Sequence, residues 1–209
     1  MRGNMPESGM TEKAGSQAAV KRPLLFVQGG GRGAHDDWDA RLVESLQRAL
    51  GPGYAVRYPR MPNEGDPHVA TWKPALDQEL ARLDEGAILV GHSVGGTMLV
   101  NVLAERARPP TFAALFLLAA PFVGEGGWPN DELNCPPDLG ARLPPGMAVH
   151  IFHGTADETA PPAHADLYAR AIPQARLHRL PGRNHQLDDD LTEVAAAIGS
   201  LDGGRASAG

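Results

Sequence analysis

Short apolar runs alternate with longer amphipathic segments along most of the chain. Six of the runs have the length and composition of β-strands, and they occupy residues 24–28, 55–58, 87–91, 113–119, 148–152 and 176–180. The third, fourth and fifth are almost wholly apolar, which is typical of central parallel strands buried on both faces. The alternation with helical segments predicts an α/β domain with a doubly wound, six-stranded, mainly parallel sheet and helices on both faces.

Apolar residues recur at every fourth position in two amphipathic segments, and this spacing predicts helices whose apolar stripes pack in the core. The stripes consist of Trp38, Leu42, Leu46 and Leu50 in the first segment and of Trp72, Leu76 and Leu80 in the second. Because proline is tolerated only in the first turn of a helix, Pro74 predicts that the second helix begins near Thr71 or Trp72. Three further helices are expected from just after Ser93 to about Arg108, after residues 160–162 and after residues 188–190.

Two Gly- and Pro-rich stretches without periodicity, residues 62–68 and 124–146, predict long loops. Loops of this length in a compact domain are typical of lids or binding loops. The second follows the fourth strand, on the side of the sheet where open α/β domains bind ligands. Residues 1–22 contain no apolar segment of a signal peptide or membrane anchor, and we expect a disordered leader there, a domain over 23–202 and a disordered tail over 203–209.

The charge balance, the lengths of the apolar runs and the cysteine count argue against several classes of function. The chain has 209 residues, of which 42% are hydrophobic, and its 19 basic and 25 acidic side chains give a net charge of -6. This balance lacks the basic stripe of a nucleic-acid-binding protein, and no apolar stretch reaches the roughly 18 residues of a membrane span. The single Cys135 excludes an intrachain disulfide and a cysteine-based zinc site, so we expect a cytoplasmic protein in which this thiol is incidental.

The segment GHSVGG, residues 91–96, contains the pattern G-x-S-x-G between an apolar strand and a predicted helix. A serine flanked by glycines is common in turns, but this context indicates a strained strand-to-helix turn that lifts the hydroxyl of Ser93 above the sheet edge. The glycines are required because a Cβ atom on either side would clash in so tight a turn. We therefore predict that Ser93 is a nucleophile, beside the N-terminus of a helix.

A serine nucleophile near neutral pH requires a base that is oriented by an acid. Asp157 follows the fifth strand and His185 follows the sixth, so their side chains are expected to converge on Ser93. Asp157 is alternatively a turn or cap residue, and Glu125 is a less well-placed acid. His92 is expected to pack against the sheet and His153 to form a hydrogen bond under the Asp157 turn. The other histidines, which show no metal-pair spacing, are His35, His68, His150, His164 and His178.

The loop QGGGRG, residues 28–33, has two interpretations. With Ala34 it matches the dinucleotide pattern G-x-G-x-x-G/A, but the following helix is expected to begin only near Asp36 or Asp37, and the second strand ends without a ribose-binding acid. We interpret the loop instead as one half of an oxyanion hole. The N–H of Gly30, with Gly31 as the alternative, and the N–H of Val94 are the expected donors.

Substrate contacts are harder to assign. Gly31 and Trp128 are expected to line a substrate pocket, whereas Trp38 and Trp72 are expected in the core. No cofactor or metal ion is expected.

At this point the layout resembles the compact serine hydrolases of the retinoblastoma-binding-protein-9 and YdeN type, a lidless branch of the α/β-hydrolases. The resemblance covers roughly residues 23–200. It rests on the glycine loop followed by Trp38, YPRMP at 58–62, the Trp72 helix, GHSVGG, HGTAD at 153–157, and the pair Asn184 and His185. It implies an α/β-hydrolase fold with Ser93, Asp157 and His185 as catalytic triad. Relatives often have His-Gly or Pro-Gly where this chain has Gln28-Gly29, and they differ at the insert 124–146.

We predict the strand order 2-1-3-4-5-6, without the first two strands of larger hydrolases. The expected activity is that of a carboxylesterase-like serine hydrolase, which cleaves a small-molecule ester or thioester through an acyl-enzyme. Thioesterase, peptidase and lactonase activities and the oligomeric state stay open. The alternative function is a binding or scaffold protein that retains the hydrolase fold with little or no catalysis.

Overall fold

The computed structural model describes residues 20–106 and 111–203. Its strands form one sheet in the order β2-β1-β3-β4-β5-β6, and every neighbouring pair is parallel. The strands are β1 (Arg22–Val27), β2 (Tyr54–Arg57), β3 (Ile88–His92), β4 (Ala114–Leu118), β5 (Ala148–Gly154) and β6 (Arg176–Leu180). The predicted α/β fold and strand order are confirmed, and each predicted strand end lies within two residues of the observed one.

Helices cover both faces of the sheet. They are α1 (Asp39–Leu50), α2 (Val69–Ala81), α3 (Ser93–Glu105), the short α4 (Leu139–Arg142), α5 (Ala163–Ala171) and α6 (Thr192–Gly203). Helices α1 and α6 pack on one face, and α2, α3 and α5 pack on the other. The expected leader 1–22 and tail 203–209 lie largely outside the described residues, although Arg22 begins β1 and Gly203 ends α6.

The apolar runs of the sequence follow from this two-sided packing. In β1, Leu24 and Phe26 contact the layer of α1 and α6, whereas Leu25 and Val27 belong to the core on the opposite face. Successive side chains of a strand point to opposite faces, so a strand covered on both sides is apolar at every position.

Two helix predictions need correction. Helix α2 begins at Val69, earlier than expected, so Pro74 lies in its second turn, on the exposed side. The early start is stabilised by Glu132, whose carboxylate accepts the Val69 N–H at 2.8 Å. Trp38 is not a core residue, because 49% of it is exposed. It ends a π-helical turn, Ala34–Trp38, which precedes α1 and breaks the four-residue spacing.

The other helix predictions agree with the structure more closely. Leu42, Leu46 and Trp72 are fully buried, and the Trp72 indole donates to the Pro62 carbonyl oxygen at 2.8 Å. Helix α3 ends at Glu105, and the end expected near Arg108 lies outside the described residues. None of the described helices is long and apolar enough to cross a bilayer.

The insert after β4 packs against the domain. Cys135, Leu139 and Leu143 from this segment are buried in the core that lies under α3 and α5. The Cys135 Sγ accepts a hydrogen bond from Asn101 Nδ2 at 3.4 Å. Cys135 therefore contributes to the packing of the insert against α3, and the expectation that it takes no part in the chemistry stays a prediction.

Aromatic rings from the edge of the sheet stack on one another. His150 lies over Phe116 with 4.7 Å between ring centroids, and its Nδ1 lies 3.1 Å from His178 Nε2. Burial and the neighbouring His178 lower the pKa of His150 to about 4. Since one of the two facing nitrogens must accept, the pair is stable only when at least one ring is neutral.

We predict that His150 makes stability fall as the pH is lowered. Its pKa is lower in the folded state than the ordinary 6.5, so the unfolded chain binds an extra proton between about pH 6.5 and 4. The expected loss in the free energy of unfolding between pH 7 and pH 5 is about 2 kcal/mol. Urea unfolding of the wild type and His150→Phe at both pH values measures it. The prediction fails if both proteins lose the same amount.

Candidate active site

Ser93 is the first residue of α3, directly after β3, and its φ of +50° is left-handed. Such a backbone is strained for a residue with a side chain, and it is retained only where the surroundings enforce it. The surroundings are two close backbone contacts. A Cβ on Gly91 would lie 2.5 Å from Gly96 Cα, and one on Gly95 would overlap the Gln28 carbonyl oxygen. Only glycine therefore fits at these two positions, and the turn requires both.

The structure brings Ser93, Asp157 and His185 together at the carboxyl end of the sheet. His185 Nδ1 lies 2.9 Å from Asp157 Oδ2, and its Nε2 lies 3.0 Å from Ser93 Oγ. An ionised carboxylate only accepts hydrogen bonds, so Nδ1 carries the proton and Nε2 is left to accept from the serine hydroxyl. Glu125, the alternative acid, is exposed and lies in the insert.

Asp157 is both a turn cap and the partner of His185. Its Oδ1 accepts the N–H groups of Thr159 and Ala160 at 2.9 and 2.8 Å. Its Oδ2 also lies 3.1 Å from Nε2 of His153, which is 2.9 Å from the Ala160 carbonyl oxygen. Burial alone would raise the pKa of Asp157, but the hydrogen bonds from His153 and His185 outweigh it and hold the pKa below its usual range. The expected hydrogen bond of His153 under this turn is confirmed.

The turn that carries His185 is strained as well. Leu187, Asp188 and Asp189 have successive φ values of 50°, 56° and 55°. A left-handed conformation costs about 1–2 kcal/mol for each such residue, so the turn needs strong contacts. Asn184 Oδ1 accepts the Asp188 N–H at 3.1 Å, and the Arg183 guanidinium donates to the Leu187 carbonyl oxygen at 2.8 Å.

His92 does more than pack against the sheet. Its Nδ1 lies 2.9 Å from Asp39 Oδ1, and its Nε2 lies 3.1 Å from the backbone oxygen of His185. The backbone oxygen and an Asp39 carboxylate are both acceptors, so an imidazolium, with a proton on each ring nitrogen, satisfies both contacts. Burial would lower the pKa of His92, but the Asp39 carboxylate outweighs that effect and raises it. His92 and Asp39 are each only 1% exposed, so they form a buried ion pair.

The same carboxylate also holds the glycine loop, because Asp39 Oδ2 accepts the Gly29 N–H at 2.6 Å. Asp39 thus links three segments: the glycine loop directly, the Ser93 turn through His92, and the His185 turn through the His92 hydrogen bond to its backbone. Sequence reasoning missed this residue, because an aspartate at the start of a helix is ordinarily an exposed cap or dipole partner.

A second carboxylate, that of Glu64, fixes the rest of the glycine loop. It accepts the N–H groups of Gly33 and His35 at 3.2 and 3.1 Å and the Gln28 side-chain amide at 2.7 Å. The Glu64 backbone oxygen accepts the Gly31 N–H at 2.6 Å. Gly31 is therefore not the alternative oxyanion donor. The amides of Gly29, Gly31 and Gly33 are thus bonded within the protein, which argues against the dinucleotide interpretation.

The two residues expected to supply the oxyanion donors, Gly30 and Val94, lie next to each other. A Cβ on Gly30 would be 3.6 Å from Val94 Cβ and 2.8 Å from Pro67 Cγ. Gly30 N–H donates to no acceptor within the described residues. Val94 is the second residue of α3, where N–H groups have no partner within the helix. Both expected donors are thus available beside Ser93.

A cavity of about 150 Å³ opens beside these amides. Its lining includes Val94, Met98, Val123 and Trp128, so the expected pocket role of Trp128 agrees with its position, whereas Gly31 does not line the cavity. Among residues 20–106 and 111–203, no group of three or more His, Cys, Asp or Glu side chains is arranged to hold a metal ion.

Several solved structures of other proteins have a similar fold. The fold is similar to that of the ydeN gene product of B. subtilis, with a TM-score of 0.69 and 19% identity over 88% of this chain and 100% of that one. Est1E from Butyrivibrio proteoclasticus has a TM-score of 0.65 and 21% identity over 92% and 91% of the two chains. A serine hydrolase involved in carbazole degradation, CarC, has a TM-score of 0.67 and 16% identity over 88% and 92%.

No curated protein sequence matches the chain. The sequence model of the alpha/beta hydrolase family does match it, over residues 24–150. That range contains the glycine loop, the Ser93 turn and the first four strands of the sheet. Together with the sheet order, this match shows that the chain belongs to the alpha/beta hydrolase family.

Proposed function

We propose that the protein is a serine hydrolase that cleaves a carboxylester or thioester of a small molecule. The observation that carries the proposal is the position of the His185 ring, within hydrogen-bond distance of both Asp157 and Ser93. A neutral imidazole held in this tautomer is a general base for the serine hydroxyl. The similarity to the esterase domain of a Rhodothermus marinus protein and to a serine hydrolase supports the same class of reaction.

The reaction proceeds in two acyl-transfer steps. His185 Nε2 takes the hydroxyl proton of Ser93 while Oγ attacks the carbonyl carbon, and the N–H groups of Gly30 and Val94 hold the resulting oxyanion. The imidazolium, stabilised by Asp157, then gives its proton to the leaving alcohol or thiol, and an acyl-serine forms. A water molecule, deprotonated by His185, attacks this ester and releases the acid and the free serine.

We expect Ser93→Ala to lower the hydrolysis of p-nitrophenyl butyrate by about ten-thousandfold or more, because no other group replaces the nucleophile. Labelling by a fluorophosphonate probe should disappear in the same variant. Ser200→Ala is the matched control, since Ser200 lies exposed on α6. Circular dichroism establishes that both variants fold. Full labelling of folded Ser93→Ala would show that the nucleophile lies elsewhere.

Asp157→Asn tests the role of the acid. The two N–H groups that bond Oδ1 would keep the asparagine oxygen in that position, so its NH₂ group would face His185 Nδ1. A donor there forces the proton of His185 onto Nε2, which then has no lone pair for the serine proton. We expect kcat to fall on the order of 10⁴-fold with little change in KM.

The control for that variant is Glu158→Gln, which makes the same change from carboxylate to amide at the exposed neighbouring residue. Steady-state kinetics on one ester compare the two. An Asp157→Asn enzyme with wild-type kcat would assign the acid to a different residue.

Asp39→Asn tests the buried ion pair. An amide cannot balance the His92 imidazolium, so the hydrogen bond from His92 to the His185 backbone should weaken and the base should shift. We expect kcat to fall roughly ten- to a hundredfold, since small displacements of a catalytic group have effects of this size. In a pH titration followed by nitrogen-15 NMR, the His92 ring should lose its second proton at a higher pH in the wild type than in the variant. Asp37→Asn, at an exposed aspartate of the preceding turn, should change neither readout.

A further inference from the structure

The cavity beside Ser93 has one wall made by a single face of α3. Val94, Thr97 and Met98 line it, and their spacing of three and four residues places them on the same side of the helix. Val94 is at the mouth, next to the nucleophile, and buried Met98 lies one helical turn further, about 6 Å along the axis. The depth of the cavity is therefore about one turn of helix.

The opposite wall of the cavity is formed by residues of two loops. Pro67 lies against Gly30, and Val123, Trp128 and Leu133 come from the segment after β4. Trp128 is held in place by two contacts. Its backbone N–H donates to the Phe122 carbonyl oxygen at 2.9 Å, and its ring meets His164 edge to face with 5.4 Å between ring centroids. This side of the cavity is therefore formed before a ligand binds.

Two uncharged polar side chains line the cavity. Thr97 is buried, and its hydroxyl donates to the Pro121 carbonyl oxygen at 2.6 Å. Asn130 is exposed at the outer edge, and its Oδ1 accepts the N–H groups of Glu132 and Leu133 at 2.8 and 2.7 Å.

Charge lies only at the rim, where the Glu132 carboxylate accepts the Val69 N–H and lies 2.8 Å from His68 Nδ1. The same contact lowers the pKa of Glu132 and raises that of His68, so the charge at the rim is paired. A carboxylate on the acyl group would find no cationic partner in the lining.

We propose that this cavity binds the acyl group of the substrate and restricts it to an uncharged, apolar group of about six carbons, either a short chain or a single ring. The inference rests on the proposed function, because Gly30 and Val94 would hold the carbonyl oxygen at the cavity mouth. The size follows from the volume of about 150 Å³, since an apolar cavity of that volume holds one benzene molecule. Longer chains do not fit, because buried Met98 closes the inner end of the cavity.

The test is kcat/KM for p-nitrophenyl acetate, butyrate, hexanoate, octanoate, dodecanoate and benzoate. Each methylene buried adds up to about fourfold, so we expect a rise from acetate to hexanoate and at least a tenfold fall by dodecanoate. Met98→Ala deepens the floor and should move the optimum to octanoate. Trp128→Ala removes part of the opposite wall and should lower hexanoate hydrolysis more than acetate hydrolysis.

Met147→Ala is the matched control, because Met147 is buried in the same core but outside this cavity. It should leave the chain-length optimum unchanged. Trp128 is 37% exposed, so its variant still decides the question if Met98→Ala does not fold. A flat series, or one that rises to dodecanoate, overturns the pocket while leaving the hydrolase intact. Absence of both acetate hydrolysis and probe labelling contradicts the proposed function instead.

Discussion

The buried ion pair between Asp39 and His92 is the contact on which the arrangement of the site depends. Three chain segments that leave the sheet at different strands meet there: the glycine loop and the turns that carry Ser93 and His185. Burying two charges is expensive, and removing one partner of such a pair typically costs about 3–5 kcal/mol. The pair therefore persists only while all three segments stay together, which couples the glycine loop to the two turns that carry Ser93 and His185.

Two other carboxylates also bind backbone N–H groups at this end of the sheet. Asp157 and Glu64 each accept N–H groups from irregular backbone, as Asp39 does, and each also contacts a side chain of the site or of the glycine loop. Buried N–H groups must be bonded, and outside helices and strands a buried carboxylate meets that need with strong, charge-assisted bonds. The left-handed residues at Ser93 and after His185 are held in this framework.

Much of this could be predicted from the sequence, for identifiable reasons. Buried parallel strands must be apolar throughout, so six runs defined the sheet, and the tight turn at Ser93 requires its glycines. Parallel strands also end at one edge of their sheet, and this rule alone predicts that Asp157 and His185 lie beside Ser93. The family match ends at residue 150, so the prediction of these two residues rests on that rule and on the resemblance of their motifs.

What the sequence did not reveal depends on contacts between distant segments. Trp38 has the spacing of a core residue, but the π-helical turn before α1 rotates it outward. Pro74 was expected to mark the first turn of α2, and the earlier start became visible only with the Glu132 contact. Asp39 and Glu64 are ordinary acidic residues in the sequence, and their roles follow only from which backbone amides the fold brings to them.

The Glu132 contact with Val69 has a consequence for dynamics. The first turn of α2 is capped by Glu132, a residue of the insert that also lines the cavity, so loss of this contact would affect both the helix end and the cavity. Amide hydrogen exchange in that turn should therefore respond to a ligand that displaces Glu132, although α2 itself does not line the cavity.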